Sequence, residues 1–312
     1  MEVHRKELKR QARQAMALPR PPFWAVILAY LALTLGVNYL LALVPLPGGD
    51  APGFHSTLFF LTIFYLLYKL VVEFGLKLWA LWTWRRLNPG LGSLLQGFSV
   101  AGRVILLELL LFARMFLWVF ALSILAGFLL YFLPTLPLLV GWLLLLWIIL
   151  LRYALAPYLL ADRPDDGPGA AIGRSTQLMR GWCWQLAKLE LSFLGWVILA
   201  YLLTVGVQAL FLWQAGGFEM LFSLAPGQIA DLPANYLFWS NGLQLMPLSQ
   251  AEIDLFTLYY TTCGGFWCSL CCDLIQIPLL LWLLPYQQVA RAGFYQARLQ
   301  LQQDSAPPLP PL

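Results

Sequence analysis

The sequence predicts an all-α, polytopic membrane protein with six transmembrane helices, both termini on the inner side, and amphipathic helices at the interface. Three observations carry that reading. Of the 312 residues, 61% are hydrophobic and only 11% charged, whereas a soluble domain has about 25% charged residues. The apolar residues fall into six runs, each long enough to cross a hydrocarbon core of about 30 Å. Lys and Arg are confined to alternate connecting segments, the pattern that orients membrane proteins. The same composition excludes a disordered chain, which would be polar and highly charged. A net charge of +4 is too small to point to nucleic acid as a partner.

The elements follow in order. Residues 1–22 form a basic leader carrying Arg5, Lys6, Lys9, Arg10, Arg13 and Arg20. Its first 18 residues predict a helix against the inner surface, where these cations meet anionic lipid headgroups; a solvated leader that only sets orientation is the other reading. The apolar run that follows is longer than the core of a signal peptide and lacks a small-residue cleavage site, so it reads as an uncleaved first span. The spans are expected at 23–44, 57–84, 104–130, 136–160, 185–213 and 264–285, within a single membrane domain over 23–302. Apolar runs this long are helices rather than barrel strands. Pro47, Pro89, Pro134 and Pro164 fall between spans, while Pro157 and Pro278 fall inside them and predict kinks, or at least a locally freed carbonyl. In the long outer loop, 214–263, Ser249 and Glu252 have the spacing of a capping box opening a helix through Tyr260. Residues 170–180 predict an amphipathic inner-face helix, and the proline-rich tail 303–312 an extended polyproline II segment.

Orientation comes from counting. Outside the spans, the leader, Arg85, Arg86, Arg103, Arg163, Arg174, Arg180, Arg291 and Arg298 give fourteen bases on one side and none on the other. Both termini are therefore expected inside, which requires an even number of spans.

Nine ionisable residues lie inside the expected spans: Lys69, Glu73, Lys77, Glu108, Arg114, Arg152, Lys188, Glu190 and Asp273. Each costs at least about 2.5–3.5 kcal/mol at the bilayer centre when unpaired, so such residues face the bundle interior and pair. Lys69, Glu73 and Lys77 form one stripe at i, i+4, i+8. Matching depths suggests four pairs: Lys69 with Asp273, Glu73 with Arg114, Lys77 with Glu108, and Arg152 with Glu190. Lys188 is left to snorkel. The network serves either as a path or site for a charged solute or as glue that sets helix register.

No metalloprotease helix, phosphate-binding loop, nucleophile elbow or dinucleotide fingerprint occurs, and His4 and His55 fall on opposite sides of the membrane. Cys263, Cys268, Cys271 and Cys272 cluster near the outer end of span six; small apolar packing residues are the preferred reading over soft-metal ligands. No catalytic residue, cofactor or metal is expected. The chain reads as a non-enzymatic membrane protein handling a small solute, ion or lipid. The alternative is a membrane scaffold or accessory subunit of an envelope complex; an intramembrane enzyme ranks third.

Residues 155–162 read Leu-Ala-Pro-Tyr-Leu-Leu-Ala-Asp, 171–181 carry Ala171, Ser175, Leu178, Met179 and Gly181, and 191–196 read Leu-Ser-Phe-Leu-Gly-Trp. Together these resemble a bacterial integral membrane family known only as a domain of unknown function, number nine hundred and seventy-five. Looser likenesses occur in the basic leader at 5–9, in Leu-Leu-Gln-Gly-Phe at 94–98, and from Pro285-Tyr286 to Phe294-Tyr295. The resemblance implies a six-helix protein of the bacterial cytoplasmic membrane, related to the membrane domain of some glycerophosphodiester phosphodiesterases. It carries over no active site. It marks Ala156, Pro157, Tyr158, Asp162, Ser175, Met179 and Gly181 as an inner-face motif.

Overall fold

A computed structural model describes residues 5–17, 21–43, 54–129, 135–240 and 248–304. The expected polyproline tail from 305 onward, His4, and residues 44–53, 130–134 and 241–247 of the segments expected on the outer side lie outside the described residues. Every regular element among the described residues is helical. Six stretches are long and apolar enough to cross a membrane: Phe23–Ala42, Phe59–Trp84, Gly92–Leu129, Val140–Asp162, Leu194–Gln214 and Phe266–Gln303. The all-α, six-span fold class therefore holds. The chain forms two compact units, Met1–Phe193 with Leu281–Leu312, and Leu194–Leu280.

The first unit opens with α1 (Arg5–Met16). Leu8, Ala12, Ala15 and Met16 make its buried stripe, at the spacing one helical face requires. That stripe packs on the protein, against α4 (Phe54–Trp84). Lys9 Nζ sits 4.4 Å from the Phe193 ring and the Arg13 guanidinium 5.8 Å from the Tyr286 ring. Partial burial of its ammonium, together with the positive charges of Arg13 and Arg5, pulls the Lys9 pKa down. Arg5, Lys6, Arg10 and Arg13 stay exposed.

The first spanning stretch consists of α2 (Phe23–Leu31), a wide π turn over Ala32–Gly36, and α3 (Val37–Ala42). Within the π turn the Thr34 hydroxyl donates to Tyr30 O at 2.8 Å, and Tyr65 Oη donates to Thr34 O at 3.2 Å. A π turn loosens the ladder, and these two hydroxyls satisfy carbonyls beside it. Helix α4 ends in a turn with Arg86 and Asn88 at positive φ, followed by Pro89, which cannot continue a helix. The chain returns through α5 (Gly92–Leu95) and a 3-10 turn (Gln96–Val100) into α6 (Ala101–Leu129).

The stretch expected as the fourth span is divided between α7 (Thr135–Tyr153) and α8 (Ala156–Asp162). Pro157, expected to kink a span, stands in the first turn of α8, where a missing donor is harmless. The 3-10 turn Pro164–Asp166 leads to α9 (Pro168–Leu178). Helix α10 (Cys183–Leu191) then ends in a turn at Ser192 and Phe193. Residues 185–213, expected as one continuous span, are thus interrupted. The polar cluster Lys188, Glu190 and Ser192 is the sequence mark of that break.

The second unit contains α11 (Leu194–Gln214), α12 (Gly217–Ser223), α13 (Pro226–Ser240), α14 (Gln250–Cys263) and the first part of α15 (Phe266–Asp304). The capping box at α14 forms as expected. Ser249 Oγ accepts from the Glu252 N–H, and Glu252 Oε2 accepts from the Ser249 N–H at 2.8 Å. Asn235 donates to Glu252 Oε1 at 3.0 Å. These hydrogen bonds, Ser249's first, hold the Glu252 pKa below the usual carboxylate range, so this carboxylate's contribution to stability is lost as pH falls through its folded value. Cys263, Cys268 and Cys272 are buried with Val207, beside Phe211, Leu212 and Tyr259. Burial pushes the Cys263 thiol up to about 11, so it stays protonated and packs as a small apolar side chain. Helix α15 continues unbroken through Pro278 and Pro285 to Asp304.

Candidate functional site

Five charged side chains of the first unit gather around one cleft of about 490 Å³. Helix α4 supplies Glu73 and Lys77, α6 supplies Glu108, α10 supplies Glu190, and α15 supplies Gln288 and Arg291. Lys77 Nζ lies 3.1 Å from Glu73 Oε1 and 3.9 Å from Glu108 Oε1. Arg291 pairs with Glu190 at 3.1 Å. Tyr158, from α8, donates to Gln288 Oε1 at 3.2 Å and is stacked on Tyr295. Leu111, Phe112, Met115, Trp147 and Leu150 complete an apolar wall. Counted at about 1.5 Å per residue, Glu73 and Lys77 stand roughly 10–16 Å from the Trp84 end of α4. The cleft therefore holds charge at a depth where bare charge is costly.

Of the expected pairs, Lys77 and Glu108 come together, although their separation exceeds a hydrogen bond. Glu73 is held by Lys77 one turn on, not by Arg114, which is exposed on α6. Glu190 is held by Arg291, not by Arg152, whose side chain is exposed. The physical reason is twofold. Depth along a helix says nothing of azimuth, and α15 runs well past residue 285, carrying Arg291 into the bundle. Lys69 is exposed on α4; Asp273 is half-buried on the part of α15 in the second unit.

Two residues of the motif expected at the inner face, Pro157 and Tyr158, line this cleft. Ala156, Pro157, Tyr158, Ser175 and Met179 are buried. Asp162 accepts both guanidinium arms of Arg85, at 2.7 Å each, and the Tyr295 hydroxyl at 2.6 Å. This bidentate geometry is the strong form of an ion pair, and it joins α4, α8 and α15. The Ser175 hydroxyl donates to Arg152 O at 2.9 Å, tying α9 to α7. Gly181 takes a φ of +78°, a left-handed conformation that favours glycine, and so turns the chain between α9 and α10. Arg298 donates to Leu178 O at 2.9 Å and lies 3.9 Å from the Trp182 ring. Sequence reasoning singled out neither Gln288 nor the partnerships of Arg85, Arg291 and Arg298. The i, i+4, i+7 spacing of Arg291, Tyr295 and Arg298 on one helix was the available signal. Among the described residues, no group of three or more His, Cys, Asp or Glu side chains is arranged to hold a metal ion.

No curated protein and no solved structure matches the chain. A family model described as "Protein of unknown function (DUF975)" matches residues 1–214. That range contains the motif at 155–196, four of the cleft's ionisable side chains, and both charged members of the Arg85–Asp162 pair. With its six membrane-spanning stretches and only helices among the described elements, the chain is a multi-pass membrane protein that belongs to this family of unknown function.

Proposed function

We propose that the protein accommodates a small solute, ion or lipid in the charged cleft of its first unit, within the bacterial cytoplasmic membrane. The observation that carries this reading is the cleft itself. Five charged side chains from four helices line about 490 Å³ of open space; Lys77 pairs with Glu73 and Arg291 with Glu190 at 3.1 Å, while Glu108 faces that space with Lys77 no nearer than 3.9 Å. Charges used only as helix glue need no open space beside them, whereas polar groups in membrane spans that face a cavity mark a solute path or site. A membrane scaffold or accessory subunit is the second reading, supported by the exposed cationic face of α1, which also suits anionic headgroups. The motif resemblance supports the bacterial assignment and kinship with the membrane domain of glycerophosphodiester phosphodiesterases.

Purification of the full chain in native-lipid particles, followed by mass spectrometry of released small molecules, tests the reading. A compound retained at about one per chain and lost in a monodisperse Ala154→Trp variant, which fills the cleft wall, is the expected result. An empty cleft with a stoichiometric protein partner favours the scaffold instead.

Both termini are proposed to lie in the cytoplasm. Residues 194–280 contain no Lys or Arg and five acids, while all nineteen bases lie in the remainder of the chain; this asymmetry supports that orientation. A fluorescent reporter at the C-terminus should glow and alkaline phosphatase inserted after Ser223 should be active. The reverse pattern rejects the orientation.

A further inference from the structure

The charge inventory of the cleft carries the reading above a step further, to the class of ligand. Three carboxylates line it, Glu73, Glu108 and Glu190, against two cations, Lys77 and Arg291. Arg291 is committed to Glu190 at 3.1 Å, and Lys77 to Glu73 at 3.1 Å. Glu108 has Lys77 only at 3.9 Å, too far for a hydrogen bond. Its side chain keeps a quarter of its surface accessible. The cleft is thus short of one positive charge, and the deficit is localised at Glu108.

The walls say what else the ligand carries. Phe112 and Leu150 line the cleft and are also 68% and 51% exposed, so the apolar wall continues from the cleft onto the outward, bilayer-facing surface. Trp147 and Phe112 add aromatic rings, which favour organic cations over water-bound inorganic ones. A bare metal ion would want a shell of converging oxygen ligands, and among the described residues no three carboxylates are arranged to supply one. An anionic head would face three carboxylates.

The geometry points to a singly cationic amphiphile as the ligand: an alkylammonium head seated at Glu108 with its chain running out along Phe112 and Leu150. The inference rests on the proposal that the cleft is a ligand site. It is tested with the full-length protein in phosphatidylcholine nanodiscs doped with dodecylamine, dodecanol or dodecyl phosphate, with bound adducts counted by native mass spectrometry. In the wild type the ammonium should be retained about tenfold over the alcohol and the phosphate, the worth of one charge-assisted hydrogen bond. Glu108→Gln should remove that preference while Arg103→Ala, at an exposed position, leaves it intact. Equal retention of all three heads, or preference for the phosphate, overturns the inference whatever the variants do. If a non-ammonium head binds and Ala154→Trp abolishes it, the cleft remains a ligand site and only the charge assignment fails. If no head binds saturably, both fail.

Discussion

Gly75→Ala is expected to destabilise the protein by about 3 kcal/mol, at the upper end of the cost of overpacking. A Cβ on Gly75 would lie 2.1 Å from the Leu94 carbonyl oxygen and 2.9 Å from the Leu94 Cα. Those are backbone atoms, so no side-chain rotation relieves the clash and α5 has to move off α4. The contact is reciprocal, since a Cβ on Gly97 would lie 2.5 Å from the Val71 carbonyl oxygen. Two glycines thus let the return segment 92–100 lie backbone to backbone on α4, the close approach that small residues provide between membrane helices. Gly102, at the start of α6, has nothing within 4 Å of its would-be Cβ. Gly102→Ala should be neutral or slightly stabilising, since alanine is the better helix former. Thermal unfolding in detergent of Gly75→Ala, Gly97→Ala and Gly102→Ala checks this. A Gly75→Ala midpoint equal to that of Gly102→Ala would show that the close approach contributes nothing.

The fold was legible in the sequence at the level where apolar length decides: six runs gave six spanning stretches, and Ser249 with Glu252 gave the helix start. It was less legible where a polar residue sits inside an apolar run. Ser192 ends α10, whereas Pro278 lies within one continuous helix, α15. Gly75 looked like any residue of a span; what it does depends on Leu94 lying against it, and no spacing rule reports that. The charged site was half legible. Inclusion of Glu73, Lys77, Glu108 and Glu190 followed from burial cost alone, whereas their partners depended on azimuth and on where α15 ends. The inner-face motif was visible only as a likeness, and its physical content is now the seat of Asp162, the Ser175 tie and the Gly181 turn.

That seat sets up the second large effect. Asp162→Ala is expected to cost about 3 kcal/mol, toward the lower end for breaking a buried pair from one side, because Arg85 and Asp162 retain 29% and 17% side-chain exposure. The alanine leaves the Arg85 guanidinium and the Tyr295 hydroxyl without the oxygens they use, and an orphaned donor is the costlier half of a lost interaction. Arg85→Ala together with Asp162→Ala should therefore cost less than the two single changes added, with a coupling of about 2 kcal/mol; strict additivity would mean the pair does not act as one. Arg103 and Asp165 supply the contrast. They pair at 3.2 Å but with 47% and 94% exposure, and breaking an exposed pair changes stability by about 0–1 kcal/mol. The latch also reaches the cleft. Tyr295 stands one helical turn beyond Arg291, so the bond to Asp162 fixes the stretch of α15 that presents Arg291 to Glu190 and Gln288 to Tyr158. Under the proposed function, loss of Asp162 should lower ligand retention as well as stability. Asp165→Ala, on the loop just beyond, should change neither.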